Sequence, residues 1–228
     1  MNYREIIRGT FLRRPNRFIA HVLYQDQELV AHVPNTGRCQ EILLPGATVF
    51  LEKAANPNRK TAYSLLAAQK GSRLINIDSQ APNQVVAEAL ASGKLLGEVP
   101  QTIQREVRFG SSRLDFAYTL ANGQKGFLEV KGVTLEQENI AYFPDAPTLR
   151  GVRHLQELMA ASQAGYACLA VFVIQMQGVA AFAPNDQTHP QFGETLRQAQ
   201  AQGVIIQAWD CLVQPAALVL HQQVPLRL

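Results

Sequence analysis

Before position 81 the sequence shows no helical repeat. Its apolar residues come in short runs at Ile6–Arg13, Arg17–Tyr24, Glu28–Val33, Thr48–Glu52, Tyr63–Lys70 and Leu74–Ile77. Turn formers part them at Arg14-Pro15-Asn16, Gln25-Asp26-Gln27, Pro34-Asn35-Thr36-Gly37 and Asn56-Pro57-Asn58. Five or six short strands in this length predict a small closed β-barrel of the OB type. From Pro82 the pattern changes. A helix runs to Ala91 with Val85, Val86, Ala89 and Leu90 as its apolar stripe and Gly93 as its stop. Strands follow at Thr102–Phe109, Arg113–Thr119 and Gly126–Lys131. A second helix spans about Thr148 to Gln163, with Leu149, Val152, Leu155, Leu158 and Met159 at helical spacing. A buried strand at Cys168–Ile174, a helix at Gln191–Ala201 and a strand at Val204–Trp209 complete the series. This order predicts a mixed sheet flanked by helices. The expected class is therefore α+β, with an OB-like domain over residues 1–80 and a mixed-sheet domain over residues 81–228.

The net charge of +3 hides an asymmetry: residues 1–80 hold 11 Lys and Arg against 6 Asp and Glu, and the remainder 10 against 12. A basic first domain suits a polyanionic partner, although a merely soluble basic surface gives the same count. Arg13, Arg14, Arg17, Arg38, Arg59, Lys60, Lys70 and Arg73 are candidates for a phosphate-binding track. Tyr24, Phe50 and Tyr63 either stack bases or fill the barrel. Pro34-Asn35-Thr36-Gly37 has the composition of a tight turn, and also of a backbone nest for an anion. Cys39, Cys168 and Cys211 are too far apart for zinc-ligand spacing and read as incidental thiols of a reducing compartment. The opening Met-Asn-Tyr-Arg-Glu has no apolar signal core, and the run Ala167–Ile174 is too short to span a bilayer. The expectation is a cytoplasmic protein without membrane contact.

The candidate chemistry lies in Arg113–Lys131. Strand side chains alternate faces. Leu114, Phe116 and Tyr118 thus share one face and Arg113, Asp115 and Ala117 the other, while Leu128 and Val130 oppose Phe127, Glu129 and Lys131. The loop between them sets the register. A two-residue turn at Asn122-Gly123 pairs Asp115 with Val130 and puts the carboxylate on the apolar face. A three-residue loop shifts the pairing by one and brings Asp115, Glu129 and Lys131 together; Asn-Gly suits either turn. Two carboxylates and a lysine so placed can hold Mg²⁺ or Mn²⁺ and position a water at a phosphate. An ordinary amphipathic hairpin with a surface Glu–Lys pair has the same pattern. Arg150 and His154, one turn apart on the second helix, either contact a phosphate or form a solvated face.

Several stretches match one family in order along the chain. They are Arg17-Phe18-Ile19-Ala20, Pro34-Asn35-Thr36-Gly37, Ala81-Pro82-Asn83 with Glu88-Ala89-Leu90, Ser112-Arg113-Leu114-Asp115-Phe116, Glu129-Val130-Lys131-Gly132-Val133-Thr134-Leu135, Phe143-Pro144-Asp145-Ala146, and Arg150-Gly151 to His154-Leu155. With these the chain resembles the sugar fermentation stimulation protein A family. Members usually carry Ser where this chain has Gly132, a change expected to loosen the strand end and spare the carboxylates. The resemblance implies an OB-like domain followed by a restriction-endonuclease-like domain of the PD-(D/E)xK nuclease class. It also implies DNA binding with little sequence preference and a regulatory link to sugar (maltose) metabolism. Glu88 gains a candidate catalytic role from it, since some nucleases of that class carry a further acidic residue on the first helix; a surface helix residue fits equally. Two functions stay open: a metal-dependent nuclease, with Asp115 and Glu129 as metal ligands and Lys131 beside them, and a non-catalytic DNA-binding regulator that keeps the fold. In either, Arg13, Arg14, Arg17, Arg38, Arg150 and His154 are the candidate DNA contacts. A C2 homodimer is a common state for soluble chains, but no interface is legible.

Overall fold

The computed structural model describes residues 1–35, 37–56 and 58–228. Thr36 and Pro57, and with them part of the turns expected at Pro34–Gly37 and Asn56–Asn58, lie outside the described residues. The first six strands are β1 (Ile6–Asn16), β2 (Ile19–Tyr24), β3 (Gln27–His32), β4 (Thr48–Lys53), β5 (Tyr63–Lys70) and β6 (Arg73–Asn76). They lie in the order β3-β2-β1-β4-β5-β6. A parallel pairing of β3 with β5, through Ala31↔Tyr63 and His32↔Ser64, closes five of them into a barrel, and β6 extends β5 outward. Strand β1 pairs with β4 along its first half and with β2 along its second. Register shifts between Phe11 and Arg13 and between Arg13 and Asn16 bend it from one partner to the other. Alternate residues such as Ala20 and Val22, or Val49 and Leu51, point into the barrel and are fully buried.

The remainder begins with α1 (Ala81–Ala91) and builds a six-stranded sheet in the order β15-β14-β12-β9-β8-β7. Its strands are β7 (Thr102–Phe109), β8 (Ser112–Thr119), β9 (Lys125–Val133), β12 (Ala167–Ile174), β14 (Ile205–Gln214) and β15 (Ala217–Gln223). The central three, β9, β12 and β14, are parallel, and the flanking pairs are antiparallel. On one face α1 packs Ala81, Val85, Val86 and Leu90 against Phe116, Leu128, Val130 and Val171. The helices α2 (Leu149–Gln163) and α3 (Pro190–Ala201) cover the other, with Val152, Leu155, Phe192 and Leu196 packed on Phe127, Ala170 and Phe172. Thr148 caps α2 by accepting the Gly151 N–H at 3.0 Å. The fold is thus an OB-like barrel joined to a mixed sheet flanked by helices, the class the sequence predicts. No helix among the described residues is long and apolar enough to cross a membrane.

Some elements differ from expectation. A small sheet of β10 (Leu135–Gln137), β11 (Ile140–Phe143) and β13 (Ala181–Pro184) was not foreseen. Its strands are too short to show a repeat, and β11 finds its parallel partner β13 some forty residues away. Strand β14 continues past Trp209, because Asp210 is buried and satisfied there: its carboxylate accepts the backbone N–H of Gly178 and of Gln222.

The barrel interior and the face covered by α2 and α3 form one continuous apolar cluster, running from Phe11, Leu51 and Ile75 to Leu155, Phe172 and Phe192. Polar ties reinforce the junction. Lys70 donates to the Glu136 carboxylate at 2.8 Å and Arg73 approaches it at 3.2 Å, while the Asn139 N–H donates at 2.7 Å. Burial works against the charge on Glu136. The Lys70 and Asn139 hydrogen bonds and the two cations outweigh it and hold its pKa below the usual carboxylate range. A depressed folded-state pKa adds stability above the unfolded value and loses it as the pH falls through the folded one. Glu136→Gln should therefore unfold more easily than wild type at neutral pH, by about 1–3 kcal/mol. Urea titrations across pH should show the gap closing in acid, below the ordinary value of 4.5. A gap unchanged in acid would mean that the charge contributes nothing.

Candidate functional site

The β8–β9 hairpin sets the site. Its strands pair Phe116 with Leu128, Tyr118 with Gly126 and Thr119 with Lys125. The Leu120 N–H then donates to the Gln124 carbonyl at 2.9 Å, leaving a three-residue loop Ala121–Gly123 in which Gly123 takes φ +84°. That left-handed residue is the bulge an odd loop requires. One residue beyond the last ladder pair, the register sets Asp115 against Glu129. There the strands part, and the Val130 N–H donates to Asp115 Oδ2 at 2.8 Å.

Glu129 lies on a central strand and is only 2% exposed. Its Oε1 accepts hydrogen bonds from Lys131 Nζ, at 2.5 Å, and from His154 Nδ1. Arg150 Nε donates to the other ring nitrogen of His154, Nε2, at 3.3 Å. A ring that donates at Nδ1 and accepts at Nε2 is the neutral Nδ1–H tautomer, as this network assigns it. Glu129 Oε2 is buried with no hydrogen-bond partner. Asp115 Oδ1 accepts from Asn83 Nδ2 at 2.9 Å.

The two carboxyls are tuned in opposite directions. Burial and the negative charge of Glu129 push the pKa of Asp115 up, against the hydrogen bonds from Val130 and Asn83 and the charge of Lys131. Burial also opposes ionisation of Glu129, but His154 and Lys131 outweigh it and hold its pKa down. A cation between them would relieve the strain on Asp115 and take the bare Oε2. The donors fit a hard divalent ion, since a carboxylate offers about four lone-pair sites and only part of each set is used. Among the described residues no cluster of three or more His, Cys, Asp or Glu is arranged to hold a metal, so water or substrate oxygens would complete the shell.

Of the residues expected at the site, the structure brings together Asp115, Glu129, Lys131, His154 and Arg150. Glu88 is elsewhere: its carboxylate binds the N-terminal ammonium at 2.8 Å and the amide of Gln84. Asn83 reaches Asp115 instead. Five residues along a helix turn the side chain by roughly 140°, so the two cannot serve one point. The sequence signal for Asn83 was its place in the first turn of α1, off the apolar stripe. Nor does Glu129 sit on a solvated polar face. Gly132 reflects close packing more than looseness, for a Cβ there would lie 2.7 Å from Gln175 Oε1 and 2.8 Å from Pro82.

The barrel arginines divide. Arg14 donates to the carbonyls of Arg17, Asn35, Gly37 and Arg38 at 2.7–3.0 Å, and is a clamp on the main chain in place of a free phosphate ligand. Lys70 and Arg73 are held by Glu136. Arg13 pairs with Glu28 at 2.6 Å. Arg17 and Arg38 are exposed and line a cavity of about 530 Å³ with Arg13 and Arg14. Tyr24, Phe50 and Tyr63 are half-buried, and Tyr63 packs on the core.

Comparison with known proteins agrees with this organisation. Residues 12–77 match the family model described as the SfsA N-terminal OB domain, and residues 80–217 match the Sugar fermentation stimulation protein RE domain. The sugar fermentation stimulation protein homolog of Ruminiclostridium cellulolyticum is 48% identical over 228 residues, the whole of both chains. That of Clostridium beijerinckii is 50% identical over 224 residues, 98% of each. Among solved structures, Pyrococcus furiosus SfsA in complex with Ca²⁺ superposes with a TM-score of 0.88 at 28% identity, covering 100% of this chain and 98% of the other.

A site of this kind predicts stabilisation by metal. A ligand at a hundred times its Kd adds about 2.7 kcal/mol, which for a chain of this length raises Tm by roughly 5–10 °C. Mg²⁺ or Mn²⁺ should give such a shift in the wild type and none in Asp115→Asn or Glu129→Gln, measured by calorimetry. An equal shift in all three would place the ion elsewhere.

Proposed function

Because the chain belongs to the sugar fermentation stimulation protein family, we propose that it binds DNA with little sequence preference and hydrolyses phosphodiester bonds at a Mg²⁺- or Mn²⁺-dependent site on Asp115 and Glu129. The observation that carries this reading is the bare, buried Oε2 of Glu129, on a residue whose cross-strand neighbour in the hairpin register is a second carboxylate, Asp115. An unpaired buried oxygen of an ionised group costs about 1–3 kcal/mol or more. A pure DNA binder gains nothing by setting two carboxylates where phosphates must come. The P. furiosus relative, solved with Ca²⁺, supports a hard-cation site in the family.

When bound, the cation would acidify a coordinated water and withdraw charge from the phosphate. The protein groups have separable tasks. Asn83 and the Val130 N–H orient Asp115. His154 orients Glu129 and keeps it ionised, with its own tautomer fixed by Arg150. Lys131 Nζ is bound to Glu129 and remains a donor for charge that develops on a phosphate oxygen. Arg150, exposed at the first turn of α2, is the cation for a flanking phosphate. On the barrel, Arg17 and Arg38 are the exposed candidates.

The test is hydrolysis of single- and double-stranded DNA with Mg²⁺ or Mn²⁺. Asp115→Asn, Glu129→Gln and Lys131→Ala should each lower the rate by about 10²-fold or more; DNA affinity should be unchanged or slightly raised in the two carboxylate variants, which lose a negative charge beside the phosphate. Affinity should fall linearly with salt on logarithmic axes, at similar slope for unrelated sequences. Equal cleavage by wild type and Glu129→Gln would assign the activity elsewhere. Binding without cleavage under any metal would leave the non-catalytic DNA-binding regulator.

A further inference from the structure

The cavity on the barrel has a composition that phosphate binding alone does not require. Its floor is apolar, with buried Phe11 and Leu43, and its rim carries Arg13, Arg17 and Arg38. Its volume of about 530 Å³ falls in the range of small-molecule pockets, roughly 300–1,000 Å³. The two walls are the β1–β2 turn at Asn16-Arg17 and the segment after β3 at Gly37-Arg38. The Arg14 guanidinium binds carbonyls of both, so the shape is fixed before any ligand arrives. Beside it, Phe18 is 44% exposed, with the Arg17 guanidinium 4.8 Å from its ring centroid, and Leu44 between cavity-lining Leu43 and Pro45 is 55% exposed. Single exposed apolar side chains are ordinary. An exposed aromatic carrying an arginine, at the edge of an apolar hollow ringed by cations, is a more particular arrangement.

We propose that this cavity and Phe18 take an unpaired nucleobase, with Arg17 and Arg38 on the adjoining phosphates, so that the barrel binds DNA as a single strand. This rests on the DNA-binding reading and adds the form of the substrate. A flat apolar base with an anionic tail complements an apolar floor and a cationic rim. Base stacking on an aromatic side chain, with an arginine contributing, is the physical basis of sequence-tolerant single-strand binding. A duplex keeps its bases stacked inside, offers the rim only phosphates, and leaves the hollow unused.

A second, narrower hollow adjoins the cavity. The Arg38 N–H approaches Asp145 Oδ2 at 3.3 Å. Asp145 lines a narrow cleft of about 130 Å³ together with Asn35 and Gly132, and Gly132 directly follows Lys131.

The experiment measures affinity for a short oligothymidine and for a duplex of equal length, by fluorescence anisotropy without divalent metal, for wild type, Phe18→Leu and Phe18→Trp. Both substitutions are at an exposed position and keep an apolar side chain, so only stacking separates them. Phe18→Leu should weaken single-strand binding about tenfold and leave duplex binding unchanged, while Phe18→Trp retains wild-type affinity. Equal single-strand affinity in all three proteins, or a parallel loss on duplex, overturns the cavity proposal and leaves DNA binding standing. A wild type that binds neither form removes the DNA-binding reading and this proposal with it.

Discussion

The register of one hairpin decides whether this chain has a site. Asp115 and Glu129 meet because the loop between β8 and β9 holds an odd number of residues, with Gly123 in the left-handed region at its end. A one-residue slip would turn every side chain of the strand over. Asp115 would then enter the apolar layer beneath α1, and Phe116 would leave it. The hydrophobic pattern and the carboxylate pair therefore select the same register, and the packing of Phe116 and Leu128 under α1 protects both. Strand separation just past Phe116 follows as well. Asp115 Oδ2 accepts the Val130 N–H where the ladder has ended.

That hairpin is useful only if the barrel is held against it, and the junction is built for rigidity. A buried polar network joins the end of the barrel to the second sheet. Asn76 donates to the Tyr3 hydroxyl, which donates to Asp78, and Gln175 donates to Asn76 and to the Asp78 carbonyl. The Gln175 amide packs where Gly132 has no Cβ, immediately past the Glu129–Lys131 pair. Glycine at this position leaves room, one residue from the site, for the Gln175 amide that donates to Asn76 and Asp78 of the barrel end. With the shared apolar core and the Glu136 ties, this makes a loose tether between barrel and sheet implausible on physical grounds: separating them would strip several buried polar groups of their partners at once.

Much of this was legible in the sequence. Period-2 runs parted by turn residues located β1 to β6, because a barrel strand has one face in and one out; only the first turn shifts, since β1 runs on through Arg14-Pro15-Asn16 and the chain turns at Arg17-Phe18. The stripes of α1 and α2 were legible for the same reason, save Leu149, which sits at the exposed first turn. Asp115, Glu129 and Lys131 could be grouped because alternation along two adjacent strands is a local rule. His154 and Arg150 could be paired because they are one helical turn apart. What failed depended on distant partners. The short strands β10, β11 and β13 exist through pairing across the chain. Asn83 was hidden because helix orientation, and not the spacing of the helix's own residues, decides which of its side chains meets Asp115.

The charge count of the barrel translates only in part into a contact surface, for a different reason. Eleven basic residues over the first eighty suggested a broad phosphate track, yet a guanidinium is also the best side chain for gathering several main-chain carbonyls, with its five fixed donors. Arg14 does this, and Lys70 and Arg73 are held by one buried glutamate. Net charge adds such residues to the field but not to the contact surface. The cations that remain exposed around the cavity are few and near one aromatic. A surface of that kind has limited capacity for nonspecific phosphate contacts along a rigid duplex, where affinity grows with the number of phosphates neutralised. It is better matched to a flexible strand, which can bring its phosphates to a small set of fixed charges and gain its remaining affinity from a base placed on the ring of Phe18.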